Sequence, residues 1–175
     1  GGIGKSPARF DFAKLGNVNA HYIKEAADER LAKLAEPFVA RALGRPLSLA
    51  QMDLFVRAMP DLKPRAQTIA DIADMAVFYF HEGPLPFDDK AKKLLTPEAK
   101  QLLSDLAGRM ESLSGFAAPE IENLFRAYAE EKGIKLGAVA QPLRAALTGS
   151  TVSPPIFGVA GLLGKDETLR RIRAA

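Results

Sequence analysis

The chain has 175 residues, 47% of them hydrophobic and 26% charged, with a formal net charge of +3 and no cysteine. That size and balance specify one folded core or two small lobes and argue against general disorder. The lack of cysteine excludes disulfides, thiolate metal sites and thiol catalysis, and no apolar run approaches the roughly 20 residues that cross a bilayer.

No segment alternates apolar and polar residues with β-branched enrichment, so no strand is expected. Helical spacing runs almost throughout, and the chain reads as an all-α protein of two packed helical subdomains with about nine helices. The first nine residues lack periodicity. In chain order the expected helices are 18–26, 28–43, 48–59 and 64–81, then 89–94, 97–113, 118–132, 136–147, and 154–163 with a short 166–173 after it. Ser48 and Gln51 have capping-box spacing ahead of Leu54, Phe55 and Met59. Ile69, Ile72, Met75, Ala76 and Phe80 make one apolar stripe. Gly83-Pro84-Leu85-Pro86-Phe87-Asp88 cannot be helical and marks the boundary between lobes. The domains are therefore expected as a lead-in over 1–16, a first helical subdomain over 17–82 and a second over 89–175.

Beyond the connector, Thr96-Pro97-Glu98 supplies an N-cap, a first-turn proline and an acid. Leu102, Leu103, Leu106, Met110 and Leu113 form the next stripe, and Ile121, Leu124, Phe125 and Tyr128 the third. All three stripes read as core faces. Gly44, Gly133 and Gly164 sit where helix C-caps belong.

Catalytic chemistry is sparse. His21 and His81 are the only histidines, and no metal-ligand spacing accompanies them. Asp71 and Asp74 share a helix face and read as solvated charge. Glu120 and Glu122 follow Pro119 in a first turn, where the helix dipole explains them. With no strands there is no glycine-rich phosphate cradle, and no serine has a histidine and acid in recognisable order. Charge is uneven: from Lys135 onward six basic side chains accompany two acidic ones, against 18 and 19 before it. A basic end on a neutral body points mildly to a polyanion, and solvated helix faces would look the same.

The segment Gln141–Phe157 is the most informative. Arg144 lies in an otherwise apolar helix (Leu143, Ala145, Ala146, Leu147), so its neighbours hold a planar fork of donors. Gly149 permits a left-handed turn, and Ser153-Pro154 reads as the cap and first residue of the next helix, with Ile156 as an apolar wall. An unstacked single-stranded RNA loop needs such a fork, such backbone donors and such apolar support. A capped helical hairpin, with Arg144 paired to a carboxylate, fits the same residues.

Three segments carry a family resemblance. Gln141–Ser150, Ser153-Pro154-x-Ile156-Phe157 and Gly161–Arg171 resemble the C-terminal end of bacterial glutamyl-tRNA synthetase, a class I aminoacyl-tRNA synthetase, almost residue for residue. Phe10-Asp11-x-x-Lys14-Leu15-x-Asn17-x-Asn19-x-x-Tyr22-Ile23 is similar to the family's passage out of its catalytic half, and Arg65–Ile69 and Lys135-Leu136-Gly137 also fit.

The resemblance implies an all-α anticodon-binding region. The position matching Arg144 meets the third anticodon base, and those matching Ser153, Pro154 and Ile156 enclose the second and third. Arg65 or Gln67 falls where the first base is judged, and Arg170 and Arg171 are expected phosphate contacts. The partners implied are tRNA-Glu, with tRNA-Gln a second candidate, and the catalytic domain of the same synthetase. No membrane partner is implied, and the expected state is a cytoplasmic monomer. ATP and Mg²⁺ would belong to the catalytic half, whose His-x-Gly-His-like and Lys-x-Ser-Lys-like elements do not occur here. The chain is therefore expected to be a non-catalytic fragment that begins just past that half. Departures from the family pattern are serine for threonine at Ser153, proline for glycine at Pro155, which removes a backbone donor, and glutamine for arginine at Gln67, which would weaken discrimination between glutamate and glutamine anticodons if Gln67 rather than Arg65 is the first-base position. The alternative is a helical protein–protein module with no RNA role.

Overall fold

Residues 20–175 are described by the computed structural model, and among them all regular structure is helical. The chain divides into two compact units between Val77 and Phe78, ahead of the Gly83–Asp88 connector. The lead-in over 1–16 lies outside the described residues. Among those described, no helix is long and apolar enough to cross a membrane.

The first unit contains α1 (Ala20–Glu25), α2 (Asp28–Leu43), α3 (Leu49–Leu62) and α4 (Ile69–Ala76). Leu31, Ala35 and Val39 recur at four-residue steps on α2, and they are buried together with Phe55, Met59 and Leu62 of α3 and Ile69 and Ile72 of α4. Each such large side chain removed from water contributes about 1.5–3 kcal/mol. The Ser48–Gln51 capping box forms as its spacing predicts, with Ser48 Oγ accepting from Gln51 N at 3.1 Å and Gln51 Oε1 from Ser48 N at 3.0 Å. Helix α3 runs past its expected end at 59, because Pro60 removes one internal hydrogen bond but keeps a helical φ.

The continuous helix expected over 64–81 is broken. Lys63–Arg65 forms a 3₁₀ turn, and α4 starts only at Ile69. Thr68 is extended (φ −133°, ψ 165°) and its Oγ1 accepts from Asp71 N, while Asp71 Oδ2 accepts from Gln67 N and Thr68 N. Asp71 is thus a capping group, where sequence spacing read it as solvated charge. The neighbouring carboxyl of Asp74 is pushed above its ordinary range, by desolvation first and by Asp71 second.

The second unit contains α5 (Asp89–Leu94), α6 (Pro97–Glu111), α7 (Ala118–Lys132), α8 (Gly137–Thr148), α9 (Ile156–Leu163) and α10 (Lys165–Ala174). Leu103, Leu106 and Met110 of α6, Ile121, Phe125 and Tyr128 of α7, and Val139, Leu143 and Leu147 of α8 form its core. Helix α9 lies on α7, where the rings of Phe125 and Phe157 meet edge to face at 5.3 Å. Lys165 Nζ donates to the carbonyls of Glu111 and Leu113, tying the start of α10 to the end of α6. Gly164 is the C-cap of α9, as expected, its N–H donating to Ala160 O at 3.0 Å, and at φ 85°, ψ 166° it turns α9 directly into α10.

Candidate nucleic-acid interface

Helix α8 places Leu143, Ala145, Ala146 and Leu147 inward and leaves Arg144 half-buried on its edge. A long cation in that position is held by the helix stem while its head reaches water. Arg144 Nε donates to Ser153 Oγ at 2.9 Å, and Nη1 donates to Gln141 Oε1 at 2.8 Å. The guanidinium plane is thereby fixed between a residue one turn earlier and one nine positions later.

The loop between α8 and α9 is an organised turn. Gly149 takes φ 74°, and its N–H donates to Ala145 O at 2.9 Å. Thr148 Oγ1 donates to Arg144 O at 2.7 Å and accepts from Ser150 N at 3.1 Å, and Ser150 Oγ accepts from Val152 N at 3.1 Å. Val152 stands 75% exposed at the outer end of this chain of bonds.

Ser153 behaves differently from its expected role. It does not cap α9, which begins at Ile156 with Pro155 before it and no side-chain cap. Its hydroxyl donates to Pro154 O at 2.7 Å and accepts from Arg144. Two successive prolines without N–H groups delay the helix and reduce the backbone donors expected there. Pro154 and Ile156 are both buried, Ile156 at 4% exposure, so they support the loop from within and do not form an outward wall.

Arg170 and Arg171 separate sharply despite their adjacency. Arg170 is exposed and forms a two-pronged pair with Glu167, at 2.8 and 2.6 Å. Arg171 has a side chain only 2% exposed. Its Nε donates to Glu167 Oε2 at 2.7 Å, its Nη1 to Leu147 O at 2.7 Å, and its Nη2 to His81 O at 3.2 Å and Tyr79 O at 3.4 Å. Desolvation draws the Arg171 pKa down and Glu167 opposes that shift, but arginine's basicity leaves the group charged at neutral pH. A phosphate contact at Arg171 is thus closed off by burial. Leu85, Phe87 and Ala146 line a cleft together with Arg170.

In the first unit, Arg65 and Gln67 are both exposed. The Gln67 N–H is held by Asp71 at 3.0 Å, so its side chain projects from a fixed backbone. Among the described residues, no group of three or more His, Asp or Glu side chains is placed to hold a metal ion.

Sequence reasoning missed Gln141 as a partner of Arg144, Asp71 as a cap and Arg171 as a buried strut. The signal for Arg171 was present: Thr168, Arg171 and Ile172 share one helix face, and Glu167 lies four residues before the arginine.

Comparison with known proteins adds a family to this geometry. Residues 30–175 match the family model described as an anticodon binding domain. Glutamate–tRNA ligase 2 of Rhodospirillum centenum is 52% identical over 170 residues, which cover 97% of this chain and 36% of that protein. Glutamate–tRNA ligase 2 of Parvibaculum lavamentivorans is 52% identical over 171 residues, covering 98% and 35%. The crystal structure of a glutamate tRNA ligase from Elizabethkingia meningosepticum superposes with a TM-score of 0.75 at 30% identity, over 97% of this chain and 33% of that one. The chain thus spans about a third of the length of the relatives it matches.

Proposed function

The chain belongs to the anticodon-binding domain family, and from that premise we propose that it reads the anticodon of tRNA-Glu on behalf of a glutamate–tRNA ligase. Arg144 is the base-edge donor in this reading, acting on the third anticodon base. Ser153 fixes the guanidinium plane, and Pro154 and Ile156 set the shape of the loop that faces the second and third bases. Arg65 or Gln67, in the first unit, judges the first base, and Arg170 approaches phosphate.

The observation that carries the reading is the placement of Arg144 between Ser153 Oγ and Gln141 Oε1. A planar donor held by its own helix and by a loop loses little freedom on meeting a base. Gln141 is exposed, and in this reading its neutral oxygen stands in for a base acceptor. Cytosine O2 or N3 would exchange for it, so the hydrogen bond lost in the free protein is regained in the complex. Adenylation, transfer of glutamate, ATP and Mg²⁺ belong in this reading to a catalytic domain that acts with these residues. The setting is cytoplasmic, the chain acts as a monomer, and tRNA-Gln is a second substrate to test.

A low-salt titration tests this, using tRNA-Glu transcripts with the wild-type or an altered third anticodon base against the chain and its Arg144→Ala variant. The expected result is a loss of about 1–3 kcal/mol for either change, with no further loss when the two are combined. Affinity should also fall steeply as salt rises. Equal binding to every RNA would remove Arg144 from the base edge. No salt-dependent binding at all would favour a protein–protein module.

A further inference from the structure

The Arg144–Ser153 bond is only as well placed as the end of α8 and the loop that follows it. Helix C-termini leave their last carbonyls without internal partners, and Leu147 O is one of these. A buried guanidinium fills that role here. Arg171 Nη1 donates to Leu147 O at 2.7 Å, and its Nη2 donates to His81 O at 3.2 Å.

The two carbonyls lead to the same place. Leu147 precedes Thr148 and Gly149, whose bonds shape the loop. His81 precedes the connector, whose Asp88 N–H donates to Gly149 O at 2.9 Å and whose Pro86 carbonyl abuts Gly149. One side chain of α10 therefore grips both segments that close on Gly149, and Glu167 on the same helix holds that side chain in its plane at 2.7 Å.

We propose that Arg171 is a positioning residue for base recognition: its buried guanidinium fixes the end of α8 and the connector, and through them the loop that orients Arg144. This rests on the reading of Arg144 as the base-edge donor. Arg171 itself touches no RNA, so its loss should lower discrimination between anticodons and spare sequence-independent affinity. A phosphate contact would do the reverse, weakening every RNA alike. Lysine cannot replace it, because a single ammonium does not span Leu147 O, His81 O and Glu167 as a planar fork does.

The test uses the whole chain as wild type, Arg171→Lys, Arg171→Met and Arg173→Ala, the last a neighbouring arginine paired with Glu111 at the surface. Dissociation constants are measured for tRNA-Glu and its third-base variant, and the Arg144 Nε–Hε resonance is followed by NMR without RNA. For Arg171→Lys, a cognate preference of about tenfold or more should collapse toward unity while affinity for the variant RNA stays within about twofold. The Arg144 resonance should shift or broaden. Arg173→Ala should keep both the preference and the resonance. If Arg171→Met does not fold, Arg171→Lys with the resonance still decides. An unmoved Arg144 signal in folded Arg171→Lys, or parallel losses on both RNAs, would overturn the proposal. If wild type shows no preference between the RNAs, the anticodon reading fails by itself, and the resonance still reports whether Arg171 positions Arg144.

Discussion

Asp88 donates its backbone N–H to the carbonyl of Gly149 at 2.9 Å, and the preceding Pro86 carbonyl lies where a Gly149 side chain would be. The connector that the sequence marks as the boundary between lobes is therefore packed on the loop between α8 and α9. Gly149 must be glycine twice over, for its φ of 74° and for the approach of Pro86.

Gly149→Ala should accordingly be far more damaging than the same change at Gly133. Gly133 also has positive φ, at 65°, but nothing lies within 4 Å of an added Cβ there. Gly133→Ala should cost about 1 kcal/mol, the ordinary penalty of a left-handed alanine. Gly149→Ala adds displacement of the connector and should cost about 2–4 kcal/mol. Urea denaturation of the two variants beside wild type measures the difference. Equal costs would mean that the connector yields without resistance.

Ser153 offers a second contrast. Ser153→Ala removes the acceptor of Arg144 Nε and should weaken binding to the cognate anticodon by about 0.5–1.5 kcal/mol. Ser153→Thr keeps the hydroxyl and should stay near wild type. Both variants should melt at close to the wild-type temperature, since the hydroxyl is half-buried and its bonds lie near the surface. Titration of anticodon stem-loops against the two variants separates the hydroxyl from the shape of the residue. A matching loss in the threonine variant would assign the effect to loop shape.

The all-α class and the core were legible because apolar stripes such as Leu103, Leu106, Met110 and Ile121, Phe125, Tyr128 follow one periodicity over many turns. Arg144 was legible for the same reason, as a lone cation in an apolar helix. The break at Ala66–Thr68 was harder to see. It depends on Asp71 turning back to cap two N–H groups, and a polar residue beside an apolar stripe looks the same whether it caps or is merely hydrated. Arg171 was legible only in part, through Glu167 four residues earlier and its shared face with Thr168 and Ile172. Its burial comes from carbonyls of Tyr79, His81 and Leu147, and backbone oxygens leave no mark in a sequence. Ser153 failed as a cap because Pro155, two residues further on, moves the helix start to Ile156.

The Asp71 cap has its own consequence for the first unit. Thr68→Ala removes the hydroxyl that accepts from Asp71 N, and Asp71→Asn weakens the reciprocal bonds to Gln67 and Thr68. Each should cost about 1 kcal/mol. The double variant should cost less than the sum, because both changes open the same capping box. Hydrogen exchange at Gln67, Thr68 and Asp71 should rise in all three proteins, while exchange in α8 should not change. Full additivity would mean that the two bonds act separately.

Glu167 makes the stability of the second unit depend on acid. Its carboxyl is held below the ordinary glutamate range chiefly by its bond from Arg170, with Arg171 adding to the effect and partial burial opposing it. A carboxyl whose pKa is depressed on folding contributes stability that is fully present above its unfolded pKa, and that is lost as pH falls through the folded value. Stability should therefore hold at neutral pH and drop as pH passes down through and below the ordinary carboxylate range. Glu167→Gln cannot make that charge at any pH and leaves buried Arg171 without its anion, so at neutral pH it should cost about 1–3 kcal/mol. On acidification wild type loses the same interaction, so the gap between the two proteins should narrow. Urea midpoints across that range measure this without the screening that a guanidinium salt would bring. A gap that stayed constant into acid would mean that Glu167 acts through its shape and its neutral hydrogen bonds, and that the carbonyls of Leu147 and His81 are enough to hold Arg171 in place.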